Sequence, residues 1–257
     1  MFATLLLQTV AKTDFLIPKN DVIGFTFFVS TFALLAAGAF FLLERGSVPP
    51  QWRTSLTVAG IICIIAGVNY YFMRGMYVAT HESPTQFRYI DWVLTVTMLC
   101  AQFYLLLSPA GAKTGSLWIL AIGSIWMIAF GYIGEISGPE HTIIWGSIST
   151  LGYLAVVYEV WFGRLGKLVD QSESIEVVRA FNYLGYFIII GWAIYPLGYM
   201  MAPGNLLSKL NIDMNLVYNV GDVINKIGFG FIVYTMARAA GVRKAALVEA
   251  DQRVVAY

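Results

Sequence analysis

Seven apolar stretches, each long enough to cross a hydrocarbon layer, follow one another along the 257 residues, at about 22–43, 54–78, 87–107, 116–134, 142–163, 177–200 and 214–237. A helix needs about 20 residues to span a bilayer. Lipid offers no partner for backbone N–H and C=O groups, so helices that satisfy their own hydrogen bonds are the economical solution. The pattern therefore predicts an all-α membrane protein, a seven-transmembrane helix bundle. Between the stretches lie turn-forming segments such as "ERGSVPPQ", "THESPTQ", "SPAGAKTG" and "APGNLL". Only 12% of residues are charged, where a soluble domain carries about 25%. A net charge of +1 gives no reason to expect nucleic acid as a partner; the lipid bilayer is the expected one. Cys63 and Cys100 both fall inside apolar stretches and read as small buried hydrophobes rather than a disulfide.

Orientation follows from Lys and Arg, which accumulate on the cytoplasmic side. With the N-terminus extracytoplasmic and the C-terminus cytoplasmic, ten of them fall inside: Arg45, Arg53, Lys113, Arg164, Lys167, Arg179, Arg238, Arg243, Lys244 and Arg253. Five fall outside: Lys12, Lys19, Arg74, Arg88 and Lys209. The chain divides into an extracytoplasmic segment (1–21), the seven-helix domain (22–240) and a cytoplasmic tail (241–257). The opening "MFATLLLQTVAKTDF" reads as an ordinary extracytoplasmic tail.

The sixteenth basic residue, Lys226, belongs to neither side. It lies near the middle of the last stretch, where a charge costs about 2.5–3.5 kcal/mol on the insertion scale, so it needs a partner or a function. Asp222 precedes it by four residues, on the same helical face. Such a pair is as readily structural as functional. In the third stretch, "RYIDWVLTV" places Asp91 just inside the membrane, Arg88 nearly one turn outward and Thr95 one turn deeper. The two carboxylates, the arginine and the lysine are expected to converge as a buried, nearly neutral quadrupole. In the sixth stretch, "GWAIYPLGY" puts Trp192, Tyr195 and Tyr199 on one face around Pro196. An aromatic face alone is ordinary core packing. Beside a lysine with two carboxylates it suits a long conjugated cation.

Taken with "MRG" (73–75), "SPTQFRYIDWVLTV" (83–96), "FGYIGE" (130–135) and "YNVGDVINKIGFG" (218–230), these stretches resemble the microbial rhodopsins, and among them the proteorhodopsin and xanthorhodopsin group. The resemblance covers essentially the whole chain. It implies that Lys226 carries all-trans retinal as a protonated Schiff base, with Asp91 as primary counterion and proton acceptor and Asp222 as second counterion. Arg88 would temper the two carboxylates, and Tyr70 and Tyr195 would hydrogen-bond Asp222. Trp92, Met127, Gly131, Trp192, Tyr195, Pro196 and Tyr199 match the polyene pocket. Leu99 matches a position where leucine goes with green absorption. Gly146 matches a window that, in xanthorhodopsin-like relatives, admits a hydroxylated carotenoid antenna; helix packing is the competing reading of that glycine. The resemblance further implies a homo-oligomer, pentamer or hexamer, in a bacterial inner membrane.

Ion type in that family follows Asp91, Thr95 and Gln102. Aspartate and threonine at the first two look like a light-driven outward proton pump, a transporter and not an enzyme. Three positions depart from the family pattern. Gln102, about 16 Å deeper than Asp91 at 1.5 Å per residue, replaces the usual carboxylic proton donor. Thr97 replaces a proline, which removes a helix distortion, and Asn69 replaces a histidine that contacts the acceptor. A slow-cycling photosensor signalling through a separate partner is the alternative function, and a membrane enzyme using the Lys–Asp pair finds no further support in the residues. His81 and His141 lack metal-ligand spacing, so no metal is expected. Glu135 reads as a solvated loop carboxylate, with assistance to proton release as the other reading.

Overall fold

The computed structural model describes residue 17 and residues 19–255. Most of the N-terminal segment 1–21, Lys12 included, lies outside the described residues. Seven helices long and apolar enough to cross a membrane form the bundle. The first four are Val22–Glu44, Pro50–Thr80, Thr85–Leu107 and Thr114–Ile136. The fifth is Thr142–Trp161, followed by a short helix, Arg164–Val169, in the connection to the sixth. The second helix starts four residues before the apolar stretch does, because Pro50 occupies its first turn. Proline there gives up only an N–H that has no helical acceptor.

Small residues set the closest approaches. A Cβ on Gly38 would stand 3.0 Å from the Gly60 carbonyl oxygen, so the first two helices touch backbone to backbone. A Cβ on Gly152 would stand 2.5 Å from the Gly123 carbonyl oxygen and locks the fourth and fifth helices together in the same way. Without a hydrophobic driving force between helices in lipid, such contacts carry much of the packing energy.

The last two spans are irregular where they face each other. The sixth runs Ile175–Ile189, tightens into a 3-10 turn at Gly191–Ala193 and resumes as Ile194–Met201. Pro196 has no N–H to offer the preceding turn, which accounts for the local break. The seventh runs Met214–Asp222, widens into a π turn at Val223–Ile227 and continues from Gly228 to Val255. Asn225 stitches the two together: its Nδ2 donates to the Gly191 carbonyl at 3.1 Å and to the Gly221 carbonyl at 2.9 Å. The seventh helix passes residue 240 without a break, so residues 241–255 prolong it. The third helix is continuous through Thr97, whose hydroxyl donates to the Val93 carbonyl at 2.7 Å.

Candidate functional site

Lys226 sits inside the π turn of the seventh helix, a deviation that recurs at functional positions. Its ammonium is buried and donates to Asp91 Oδ2 and, at 3.0 Å, to Asp222 Oδ2. Asp222 is one turn outward on the same helix, and Asp91 arrives from the third. Both carboxylates are fully buried.

Their surroundings differ sharply. Asp222 accepts from Tyr70 Oη at 2.9 Å, from Tyr195 Oη at 2.9 Å and from Trp92 Nε1 at 3.1 Å, in addition to Lys226. Among the described residues, Asp91 accepts from Lys226 alone, and its Oδ1 has no hydrogen-bond partner. Thr95 does not supply one, because its hydroxyl donates to the Asp91 backbone carbonyl at 2.9 Å. Nor does Asn69, whose side-chain amide donates to the Ile65 carbonyl at 3.2 Å.

Arg88 corrects the expected quadrupole. Among the described residues it forms no ion pair with either aspartate. Being three residues before Asp91, it is displaced outward, where Nη2 donates to Asn215 Oδ1 at 2.9 Å and to Asn219 Oδ1 at 3.4 Å. Its guanidinium lies 4.9 Å from the Tyr218 ring centroid and 5.9 Å from that of Trp92, a cation–π setting. The charged centre is thus a lysine between two carboxylates, with the arginine one layer out. Asn215 and Asn219 carry no expectation from the sequence reading, yet 215, 219, 222 and 226 follow the i, i+4, i+7, i+11 spacing of one helical face.

Beside this centre lies a cavity of about 300 Å³, at the low end of ligand-pocket volumes. Trp92, Met127, Gly131, Trp192, Tyr195, Pro196 and Tyr199 all line it, as does Gly146. Trp92 and Tyr195 also bond Asp222, so cavity and charged centre share a wall. Tyr89, Tyr153 and Tyr218 line it as well and went unread in the sequence, because their approach depends on which helices are neighbours. A Cβ on Gly146 would meet one atom within van der Waals range, Tyr199 Cε1 at 3.4 Å. Thr150, one turn on, lines the cavity and is exposed, so the cavity opens toward the lipid-facing surface here.

Deeper in the third helix, Gln102 is buried. Its Nε2 donates to the Ser55 carbonyl at 3.0 Å, while its Oε1 has no partner. Glu135 is a second correction. It belongs to the fourth helix rather than a loop, and its two oxygens accept from Thr85 Oγ1 at 2.8 Å and Tyr89 Oη at 3.0 Å. Cys63 and Cys100 are free and buried.

Fold and site together define a seven-helix membrane protein with a buried lysine, two anionic partners and an aromatic-walled cavity. Residues 21–240 match the family model described as bacteriorhodopsin-like protein, and the chain belongs to that family. It is 42% identical over 225 residues to the green-light absorbing proteorhodopsin of Gamma-proteobacterium EBAC31A08, covering 85% of this chain and 87% of the relative. The crystal structure of blue light-absorbing proteorhodopsin from Med12 superposes with a TM-score of 0.73 at 34% identity, covering 86% of this chain and all of that one. Xanthorhodopsin, a light-driven ion pump with dual chromophore, gives 0.73 at 25% identity over 88% of this chain and 95% of its own.

Proposed function

We propose that this integral membrane protein is a light-driven outward proton pump, with retinal held on Lys226 as a protonated Schiff base. The carrying observation is the unequal treatment of the two carboxylates. Three neutral donors hold Asp222 as an anion, whereas Asp91 keeps a buried oxygen with no donor among the described residues. An unpartnered buried carboxylate oxygen is costly and is relieved when the group takes a proton. Asp91 is therefore the acceptor and Asp222 the permanent counterion. The aromatic cavity sharing Trp92 and Tyr195 with this centre fits a long conjugated chain, with Met127, Gly131, Trp192, Pro196 and Tyr199 as its remaining walls. Bound there, retinal would supply light absorption and an isomerisation that frees the proton at the lysine nitrogen. The similarity to proteorhodopsins supports the same reading; the inner membrane of a bacterium as its location and a pentamer or hexamer as its assembly complete the proposal.

Outward direction rests on the N-out, C-in orientation and on the polar Arg88, Asn215 and Asn219 layer between Asp91 and the outer ends of the helices. The test is illumination of retinal-supplied cells in unbuffered medium. Acidification that a protonophore abolishes is expected. Alkalinisation would reverse the orientation, and no pH change would leave the photosensor.

Gln102 bears on the rate. A carboxylic acid at this depth can hold a proton ready, and an amide cannot. Protons must then arrive from the cytoplasm, so recovery of the dark absorption after a flash should be slow and slower still as cytoplasmic pH rises. Gln102→Glu should quicken recovery and flatten its pH dependence near neutrality. Fast, pH-independent recovery in the parent would point to another internal donor. Glu159, buried near the cytoplasmic end of the fifth helix with Oε1 unpartnered, would be the first to test.

The opening at Gly146 supports a docked hydroxylated carotenoid. With such a carotenoid added, the excitation spectrum of retinal fluorescence should gain carotenoid bands. Gly146→Trp fills the opening and should remove them. Absence of those bands in the parent would leave Gly146 as packing alone.

A further inference from the structure

We propose that the seam between the fifth and sixth helices is the port by which retinal enters the cavity from the bilayer. Tyr153 and Asn205 govern its opening. The proposal rests on the reading of Lys226 as the retinal-bearing residue. Retinal is apolar and collects in lipid rather than water, so its path to a buried cavity starts in the membrane.

The cavity has an open side, and it faces that way. Thr150 on the fifth helix lines the cavity and is exposed, and so do Ile189, Ala193 and Pro196 on the sixth span. Lys226 lies behind the wall that Trp92 and Tyr195 share with the charged centre. A molecule passing the seam must therefore lead with the aldehyde that reacts with Lys226, and its ring follows last.

The neighbouring seam is closed along the same stretch. Gly152 and Gly123 bring the fourth and fifth helices together, Trp126 Nε1 donates to the Ile148 carbonyl at 2.9 Å, and Ser149 Oγ donates to the Met127 carbonyl at 2.6 Å. All these fifth-helix contacts fall within two residues of Thr150, and all turn toward the fourth helix. The seam to the sixth span is bridged only at its ends. Tyr153 Oη donates to the Ile188 carbonyl at 3.0 Å, and Tyr199 Oη donates to the Thr142 carbonyl at 3.1 Å. Among the described residues no hydrogen bond joins the two between these bridges. Residues 142 and 153 are about 16 Å apart along the fifth helix at 1.5 Å per residue. Both bridges are made by phenols, so they break and re-form without unwinding either helix.

Asn205 secures the outer bridge. Its Nδ2 donates to the Tyr199 carbonyl at 2.8 Å, and its Oδ1 accepts from Thr142 Oγ1 at 2.9 Å. With the Tyr199–Thr142 bond this closes a ring of hydrogen bonds over the fifth helix, the sixth span and the loop after it. Gly134 leaves room for the phenol, since a Cβ there would collide with Tyr199 Oη. Asn205 does not line the cavity. It acts on the port through Tyr199 and is a positioning residue.

Loading of the retinal-free protein in phospholipid vesicles tests this. All-trans retinal, supplied from the lipid of a second vesicle population, should quench tryptophan fluorescence on entry and raise a visible band on joining Lys226. Gly146→Trp should slow that band about tenfold or more, since a filled seam passes a ligand only by moving packed side chains. Tyr153→Phe should speed it about two- to tenfold, the change one hydrogen bond makes to a barrier, and Asn205→Ala should act in the same direction. Retinol has no aldehyde and forms no bond to Lys226, so it separates passage from the cavity itself. In Asn205→Ala its entry and exit rates should rise by one common factor, leaving its affinity at the parental value. A damaged cavity would change the affinity instead. A rate at or above the parent's in Gly146→Trp, a rate at or below it in Tyr153→Phe or Asn205→Ala, or an altered retinol affinity in Asn205→Ala would each overturn the proposal. If Gly146→Trp forms no pigment at all, the other two variants decide. A parent that forms no visible pigment removes the retinal reading and the port with it, whereas a parent whose loading rate none of the three variants alters removes the port alone.

Discussion

Lys226→Ala is expected to yield a colourless protein that moves no protons under light. The residues lining the cavity carry no amine, and Lys226 is the amine beside it, bonded to the same Asp222 that Trp92 and Tyr195 of the cavity wall hold. The substitution also leaves Asp91 and Asp222 buried without their cation, and breaking a buried ion pair from one side costs about 3–5 kcal/mol. Loss of colour could then reflect a damaged bundle, so a rescue separates the two causes. Alanine lacks three methylenes and the nitrogen, and a preformed imine of retinal with propylamine replaces them. Restored visible absorption would locate the defect in the missing amine. A visible pigment forming from retinal alone in Lys226→Ala would remove Lys226 from its assigned role.

The parts of the molecule that were legible in the sequence are those governed by one helix at a time. Bilayer thickness sets the length of every span, and helical periodicity puts Asp222 under Lys226 and Trp192 in line with Tyr195 and Tyr199. The family resemblance brought Tyr70 and Asp222 together, and the structure has them hydrogen-bonded at 2.9 Å. What escaped depends on two helices meeting. The sequence puts Arg88 three residues from Asp91 and so beside the charged centre, but Asn215 and Asn219 from the seventh helix draw its guanidinium outward. Glu135 was read as a loop carboxylate because "ISGPEH" signals a turn immediately after it; the helix runs one residue further, to Ile136, and Thr85 and Tyr89 of the third helix close on it. The π turn around Lys226 leaves no sequence mark; the Asn225 side chain inside it donates across to the Gly191 carbonyl of the broken sixth span, a contact that needs both helices in place.

Asp91→Asn should abolish transport and shift the absorption to the red. The sign of the shift follows from where charge sits. With retinal held on Lys226 as proposed, the positive charge in the dark would lie near the lysine nitrogen, which donates to Asp91 Oδ2, and excitation would move it away along the conjugated chain. An anion at Asp91 therefore stabilises the dark state more than the excited one, and neutralising it narrows the gap. Acid should do to the parent what the substitution does permanently. As pH falls and Asp91 takes up a proton, the parent should redden, while Asp91→Asn should keep one colour across the same range. Asparagine is close in size, and Asp222 with its three neutral donors remains to hold the cation, so the variant should still bind retinal. The mirror substitution gives the contrast: Asp222→Asn leaves Tyr70, Tyr195 and Trp92 donating toward an amide that can accept at only one atom. That variant should lose pigment stability as well as transport. If Asp91→Asn pumps at the parental rate while Asp222→Asn fails only in transport, the acceptor and the permanent counterion have been assigned to the wrong carboxylates.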